Sequence, residues 1–195
     1  QRQMCIRDRS YMGCRTRVMA NVYDKTREIT CGRGNLSFTS INLPRLAIKA
    51  NGDVDKFFDM LDEKLDLVVE QLLDRLEIQS KKRAKNYPFL MQQGVWLDSE
   101  KLNPEDEVRE VLKHGTLTAG FIGLAETLKA LIGKHHGESA EAQELGLSIV
   151  SHMRERMDKE SEKRGLNFSL IATPAEGLSG RSVRMDREKY GVIEG

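Results

Sequence analysis

No apolar run in this chain approaches the roughly 20 residues that a membrane-spanning helix needs, so nothing in it points to a membrane. Cysteine is scarce. There are three in 195 residues, no Cys-x-x-Cys pair and no apolar signal segment, which argues for a reduced, cytoplasmic setting. Charge of one sign is also lacking: 31 basic against 30 acidic side chains leave +1, no electrostatic footprint for nucleic acid or an anionic membrane. Neither a P-loop nor a dinucleotide fingerprint occurs. Gly32-Arg33-Gly34-Asn35 is glycine-rich but fits neither spacing, and a simple turn before a strand explains it. Any nucleotide must therefore be held by local groups. What is present, 39% hydrophobic and 31% charged residues, is ordinary for a globular domain with one sizeable core.

The two ends read differently from the middle. Met4-Cys5-Ile6-Arg7-Asp8-Arg9 looks like one reading frame of an adapter used in preparing sequencing libraries, so residues 1–10 are expected to be a scar. Setting aside their three arginines and one aspartate shifts the balance from +1 to −1. Tyr190 to Gly195 stops without a cap or polar tail, and truncation at both ends is the expectation.

Leu36 to Ile41 alternates apolar with small polar residues, the period of a half-buried strand, and Pro44 should end it. Asn51-Gly52-Asp53 is turn chemistry. Apolar positions at 54, 57, 58, 61, 65, 68, 69, 72 and 76 then predict one amphipathic helix from Val54 to about Lys85. Asn103-Pro104-Glu105 is a good start for a helix to about Lys113. Thr116 to Ile122 predicts a strand, Leu124 to Ile132 a helix, Ser139 to about Lys163 a further helix, and Leu166 to Thr173 a third strand. Strands alternating with helices predict an α/β layer or barrel, and three strands are too few to close a barrel.

Chemistry-bearing residues are few. Cys14 follows a glycine and lies between arginines in Met12-Gly13-Cys14-Arg15-Thr16-Arg17, where positive charge would favour thiolate. A lone cysteine is more often a small buried apolar residue. The turn Thr173-Pro174-Ala175-Glu176-Gly177 can present backbone N–H groups to a phosphate if a helix starts there, or be an ordinary loop. His135-His136 has no second ligand pair at useful spacing and reads as a solvated helix end; His114 and His152 have no partner legible in sequence.

Taken together and in order, MGCRTRV, RGNLSFTSINLPRL, NYPFL, HGTLTAGFIGLAETL, HHGES, AQELGL and LNFSLIATPAEGLSGR resemble the central section of anaerobic (class III, glycyl-radical) ribonucleoside-triphosphate reductases. The resemblance covers residues 11–195 and implies an α/β fold. That fold would be part of a ten-stranded α/β barrel of the ribonucleotide reductase and glycyl-radical type, with long flanking helices and a finger loop through its centre. It implies that Cys14 becomes the thiyl radical that takes the ribose 3′ hydrogen, and that Asn35 holds the ribose hydroxyls. By analogy with other reductase classes, Thr173, Ala175, Glu176 and Gly177 would bind the substrate phosphates. It further implies a ribonucleoside triphosphate substrate and formate as reductant. The expected companions are a glycyl radical made by an S-adenosylmethionine and iron–sulfur activase, a structural zinc, and a homodimer. Cys31 departs from the pattern. The chain also lacks the Arg-x-x-Gly-Tyr radical site, paired Cys-x-x-Cys zinc ligands, a nucleotide-binding regulatory domain and a second active-site cysteine, so by itself it should be inactive.

Two other readings stay open. Another glycyl-radical enzyme, related to formate lyases, would share the barrel; the lack of a second cysteine next to Cys14 speaks against it. A non-catalytic helical interaction module would leave an apolar face of the Val54–Lys85 helix exposed.

Overall fold

The computed structural model describes residues 10–12, 16–18, 20–27 and 29–192. Two short strands, β1 (Ser10–Met12) and β2 (Thr16–Val18), pair antiparallel with Ser10 opposite Val18 and Met12 opposite Thr16. Cys14, between them, lies outside the described residues, as do residues 1–9 of the expected scar; Ser10, its last residue, opens β1.

The expected strands form one three-stranded sheet in the order β3 (Asn35–Asn42), β4 (Thr116–Ile122), β5 (Asn167–Ala172). A Cβ on Gly115 would meet Leu36, and one on Gly120 would meet both Ser40 and Thr173. These contacts advance in the same sense along all three strands, so the sheet is parallel. Parallel strands need helical crossovers, and the long intervening segments supply them.

The first crossover departs from expectation. Pro44 ends β3 and also sits in the first turn of a helix, α1 (Leu43–Ala50). There its missing N–H is no loss, because first-turn donors have no partner within the helix. Asn42 caps α1 by accepting from the Arg45 N–H (3.3 Å), and Asn51 closes it at φ 55°. The helix α2 (Val54–Ser80) follows, with Asp53 accepting from the Lys56 N–H (3.0 Å). Phe57, Leu61, Leu65, Val68, Val69 and Leu72 form its buried row, so the apolar face is covered rather than offered to a partner. Each such side chain contributes roughly 1.5–3 kcal/mol by leaving water.

Helix α2 stops at Ser80, about five residues before the expected end. The N–H groups of Ala84 and Lys85 go to the carbonyls of Asp106 and Pro104 (2.9 Å each), and Val108 N–H goes to Lys82 (3.0 Å). The same pairing removes most of the expected helix from Asn103. Backbone committed to an Arg83–Glu107 bridge cannot close helical turns, and only α3 (Arg109–Leu112) remains. Lys81, Lys82 and Arg83 stay exposed, with Arg83 in the bridge.

Beyond β4 lie α4 (Leu124–Ile132) and α5 (Ala140–Arg164), within a residue of expectation. An unexpected helix, α6 (Glu176–Tyr190), closes the described chain.

The described residues fall into two compact units. One draws on the described residues up to Thr39, Val69–Thr118 and Met157–Ser169; the other on Ser40–Val68, Ala119–Arg156 and the described residues from Leu170 onward. The first packs Trp96, Met91, Val108, Val111 and Leu112 into a cluster, with Trp96 Nε1–H donating to the Val111 carbonyl (2.7 Å). In it Arg75 of α2 donates to Ser37 Oγ and Thr39 Oγ1 of β3 (3.1 Å each). The second sets α1 against α4, where a Cβ on Gly123 would lie 2.3 Å from the Pro44 ring. There α2 and α5 are joined by His152–Asp62 and Arg156–Asp66 pairs (2.6 Å each).

Candidate functional site

In the second unit the chain leaves β5 at Thr173, whose N–H donates to the Phe121 carbonyl (2.9 Å). Its hydroxyl meets that of Ser40 at 2.7 Å across β4. Residue 120 must then be glycine, since a Cβ there would lie 2.2 Å from Thr173 Oγ1 and 2.8 Å from Ser40 Oγ. Next to this pair, a pocket of about 720 Å³ opens outside the carboxyl ends of β4 and β5, walled by Thr173, Ala175, Ser179, Phe121, Leu124 and Val183 among others. Ligands in open parallel sheets gather at such strand ends.

Helix α6 starts at this pocket, with Ala175 as an N-cap that offers no side-chain bond. The first intrahelical bond runs from Ser179 N–H to the Ala175 carbonyl (2.8 Å), so the Gly177 amide precedes the helical ladder at the positive end of the dipole. That arrangement suits an anion. Glu176, in the same first turn, carries a carboxylate that favours the helix end but opposes a second negative charge. Of the four residues expected at the phosphate turn, Thr173 and Ala175 line the pocket, and Glu176 and Gly177 are exposed at the helix start. Asp186 anchors α6: though almost buried, it accepts from Arg45 Nε (2.5 Å) and Asn42 Nδ2 (2.9 Å).

In the first unit Asn35 opens β3, half-buried. Its Oδ1 accepts from Thr118 Oγ1 (3.2 Å), and Thr118 in turn lies 2.9 Å from Ser169 Oγ. Thr118 and Ser169, on β4 and β5, carry no motif that sequence could have singled out. Only strand pairing brings them to Asn35.

A buried polar network secures the chain ahead of β3. Asn167 Oδ1 accepts from Val22 N–H (2.7 Å), while its Nδ2 faces Asn21 Oδ1 and the carbonyls of Lys113, His114 and Gly115 at 3.1–3.3 Å. Because Asn21 Oδ1 is thus an acceptor, Asn21 Nδ2 donates to His114 Nδ1 (3.0 Å). His114 Nε2 then carries the proton and donates to Asp98 Oδ2 (3.0 Å). Asp98 also takes a bidentate pair from Arg27 (2.6 Å twice), and chiefly Arg27 holds it far below the usual carboxylate range. Burial pushes His114 down from 6.5, against the opposing pull of Asp98. Arg33, donating to the His114 carbonyl (2.8 Å), is pushed down to about 10 by burial and stays charged at neutral pH.

Cys31 is an exposed free thiol. His135 accepts from the Gly137 N–H (3.0 Å), a turn role, and no group of three His, Cys, Asp or Glu side chains able to hold a metal gathers among the described residues. No helix among them is long and apolar enough to cross a membrane.

A family model described as anaerobic ribonucleoside-triphosphate reductase matches residues 2–195. The enzyme of that name from Escherichia coli (strain K12) is 35% identical over 187 residues, covering 94% of this chain and 26% of the relative. The one from Enterobacteria phage T4 is 32% identical over 191 residues, 95% and 30% of the two chains. The chain thus spans about a quarter to a third of the length of these relatives. An anaerobic ribonucleotide reductase structure superposes with a TM-score of 0.68 at 21% identity, covering 82% of this chain and 24% of the other. The Thermotoga maritima enzyme in complex with dATP and CTP superposes at 0.60 with 22% identity, 82% and 25% covered; at these identities the structures speak for the fold alone. With a parallel α/β sheet in place and the family model spanning residues 2–195, the chain belongs to the anaerobic ribonucleoside-triphosphate reductase family.

Proposed function

We propose that this chain is the part of an anaerobic ribonucleotide reductase that holds its substrate-attacking cysteine, within a protein that converts ribonucleoside triphosphates to deoxyribonucleoside triphosphates. The observation that carries the reading is the family match over residues 2–195, a span that includes Cys14, Asn35 and the 173–177 turn. Residues 11–195 would form a segment of a ten-stranded catalytic barrel.

In this reading the Cys14 thiyl takes the hydrogen from C3′ of the ribose, forming an S–H bond as the C–H bond breaks. Gly13 beside it lets backbone and substrate approach closely. Asn35 holds the ribose hydroxyls, and the start of α6 with Thr173, Ala175, Glu176 and Gly177 receives the phosphates. The amides ahead of the helical ladder support that last assignment, while the apolar pocket wall and the Glu176 carboxylate limit how close an anion can come. A glycyl radical, where the protein carries one, supplies the oxidising equivalent for the thiol. Formate as reductant, a radical S-adenosylmethionine activase, a homodimer and a cytoplasmic site complete the proposal. A structural zinc finds no ligand set among the described residues, so no step is assigned to it.

The test is single-turnover deoxynucleotide formation by the activated full-length protein, with the glycyl radical quantified by electron paramagnetic resonance. Cys14→Ser should abolish product and leave the glycyl radical in place, because an alkoxyl radical is too high in energy for a glycyl radical to generate. Near-normal product from Cys14→Ser would sink the reading.

A further inference from the structure

We propose that Thr118 is a positioning residue for Asn35, and that Ser169 backs it, the three forming a directed chain of hydrogen bonds across the first unit's part of the sheet. The inference rests on the reading of Asn35 as the group that holds the ribose hydroxyls. Its geometric basis is independent of that reading. Thr118 Oγ1 donates to Asn35 Oδ1 (3.2 Å), and a hydroxyl has a single proton to give. The 2.9 Å contact between Thr118 and Ser169 is therefore completed by Ser169 as donor. Thr118 is fully buried and Ser169 nearly so, so water does not compete for either hydroxyl.

The consequence concerns the two edges of the Asn35 amide. An asparagine side chain has an accepting and a donating edge, and a turn of the amide plane exchanges them. A hydroxyl can accept as well as donate, so the exchanged orientation requires the Thr118 and Ser169 hydroxyls to reverse together. In the orientation the structure shows, Oδ1 takes the Thr118 proton and the amide nitrogen is the edge able to donate to an oxygen such as a ribose hydroxyl. The sequence supplies this through an alternating strand: Thr116, Thr118 and Gly120 fall on one side of β4, and Leu117, Ala119 and Phe121 on the other. The β-branched Thr118 also loses little side-chain freedom in holding its hydroxyl in place.

The experiment uses the full-length enzyme and steady-state kinetics on four variants. Thr118→Val keeps the branched shape and removes the donor, and should lower kcat/KM about fivefold, the effect of one neutral hydrogen bond. Thr118→Ser restores the hydroxyl without the methyl group and should return kcat/KM to within about twofold of wild type. In an Asn35→Ala background, Thr118→Val should cost less than about twofold more, because its target is gone. A merely structural threonine would instead act independently of Asn35. Wild-type kinetics from Thr118→Val beside an impaired Asn35→Ala overturns the proposal alone, as does a full multiplicative effect in the double variant. Wild-type kinetics from Asn35→Ala overturns the ribose-contact reading, and this proposal with it.

Discussion

Ahead of the strands, in the first unit, the chain is held by buried polar groups: Asn167 at the start of β5, His114 just before β4 and Arg33 just before β3. Past the strands, in the second unit, Thr173, Gly123 and Asn42 border an apolar pocket, and Asp186 ties α6 to Asn42 and Arg45. At the amino ends Asn167, His114 and Arg33 spend bonds on backbone and on neighbouring side chains, although the buried Thr116 hydroxyl at the start of β4 finds no hydrogen-bond partner among the described residues. At the carboxyl ends a helix start without a side-chain cap faces open volume, the arrangement proposed above to receive the phosphates.

The largest expected effect breaks the network at the amino ends. Asn167→Ala strips the acceptor from Val22 N–H and the donor from the Asn21 and carbonyl cluster, leaving buried polar groups unmatched. A loss on the order of 3 kcal/mol is expected. Urea denaturation followed by Trp96 fluorescence reads it within the same unit; a loss below about 1 kcal/mol would show that the network does not hold this end.

Next comes the open end. Gly120→Ala places a methyl group 2.2 Å from the Thr173 hydroxyl. It should cost about 2 kcal/mol by overpacking and weaken nucleotide binding by shifting the turn at Thr173. Unchanged binding with lowered stability would separate the turn from the proposed phosphate site.

The third prediction sharpens the comparison by pH. His114 is depressed below 6.5 in the folded chain, so the unfolded chain takes up its proton first. The stability from neutral His114 is therefore complete above about 6.5 and declines as pH falls from there toward the folded value. Proton NMR of the imidazole should show a midpoint below 6.5, with protection of the amides of residues 20–27, taken relative to their intrinsic exchange rates, declining as the pH falls. A midpoint at or above 6.5 contradicts the depression by burial.

The smallest effect is expected outside both regions. Asp66 and Arg156 meet at 2.6 Å, but the Asp66 side chain is 62% exposed. Asp66→Asn should cost less than about 1 kcal/mol, since solvent and salt screen such pairs. Thermal unfolding at low and high salt checks this.

Much of the architecture was legible in the sequence because it rests on local periodicity. The alternation of Leu36–Ile41 marks β3, the apolar run Thr116–Ile122 marks β4, and the spacing from Val54 to Leu72 marks the buried face of α2. The motif order around Cys14 and Asn35 carried the family as well. The tertiary structure decided what depends on partners distant in the chain. Helix α2 ends at Ser80 because the 104–108 backbone claims the next residues, and the Asn103 start becomes a paired loop for the same reason. His114 looked unpartnered until folding set it between Asn21 and Asp98, 93 and 16 residues away. Thr118 and Ser169 are ordinary strand residues until pairing lines them up behind Asn35. Period and capping are written over a few neighbouring residues, whereas a buried hydrogen bond needs two groups whose meeting only the whole chain arranges.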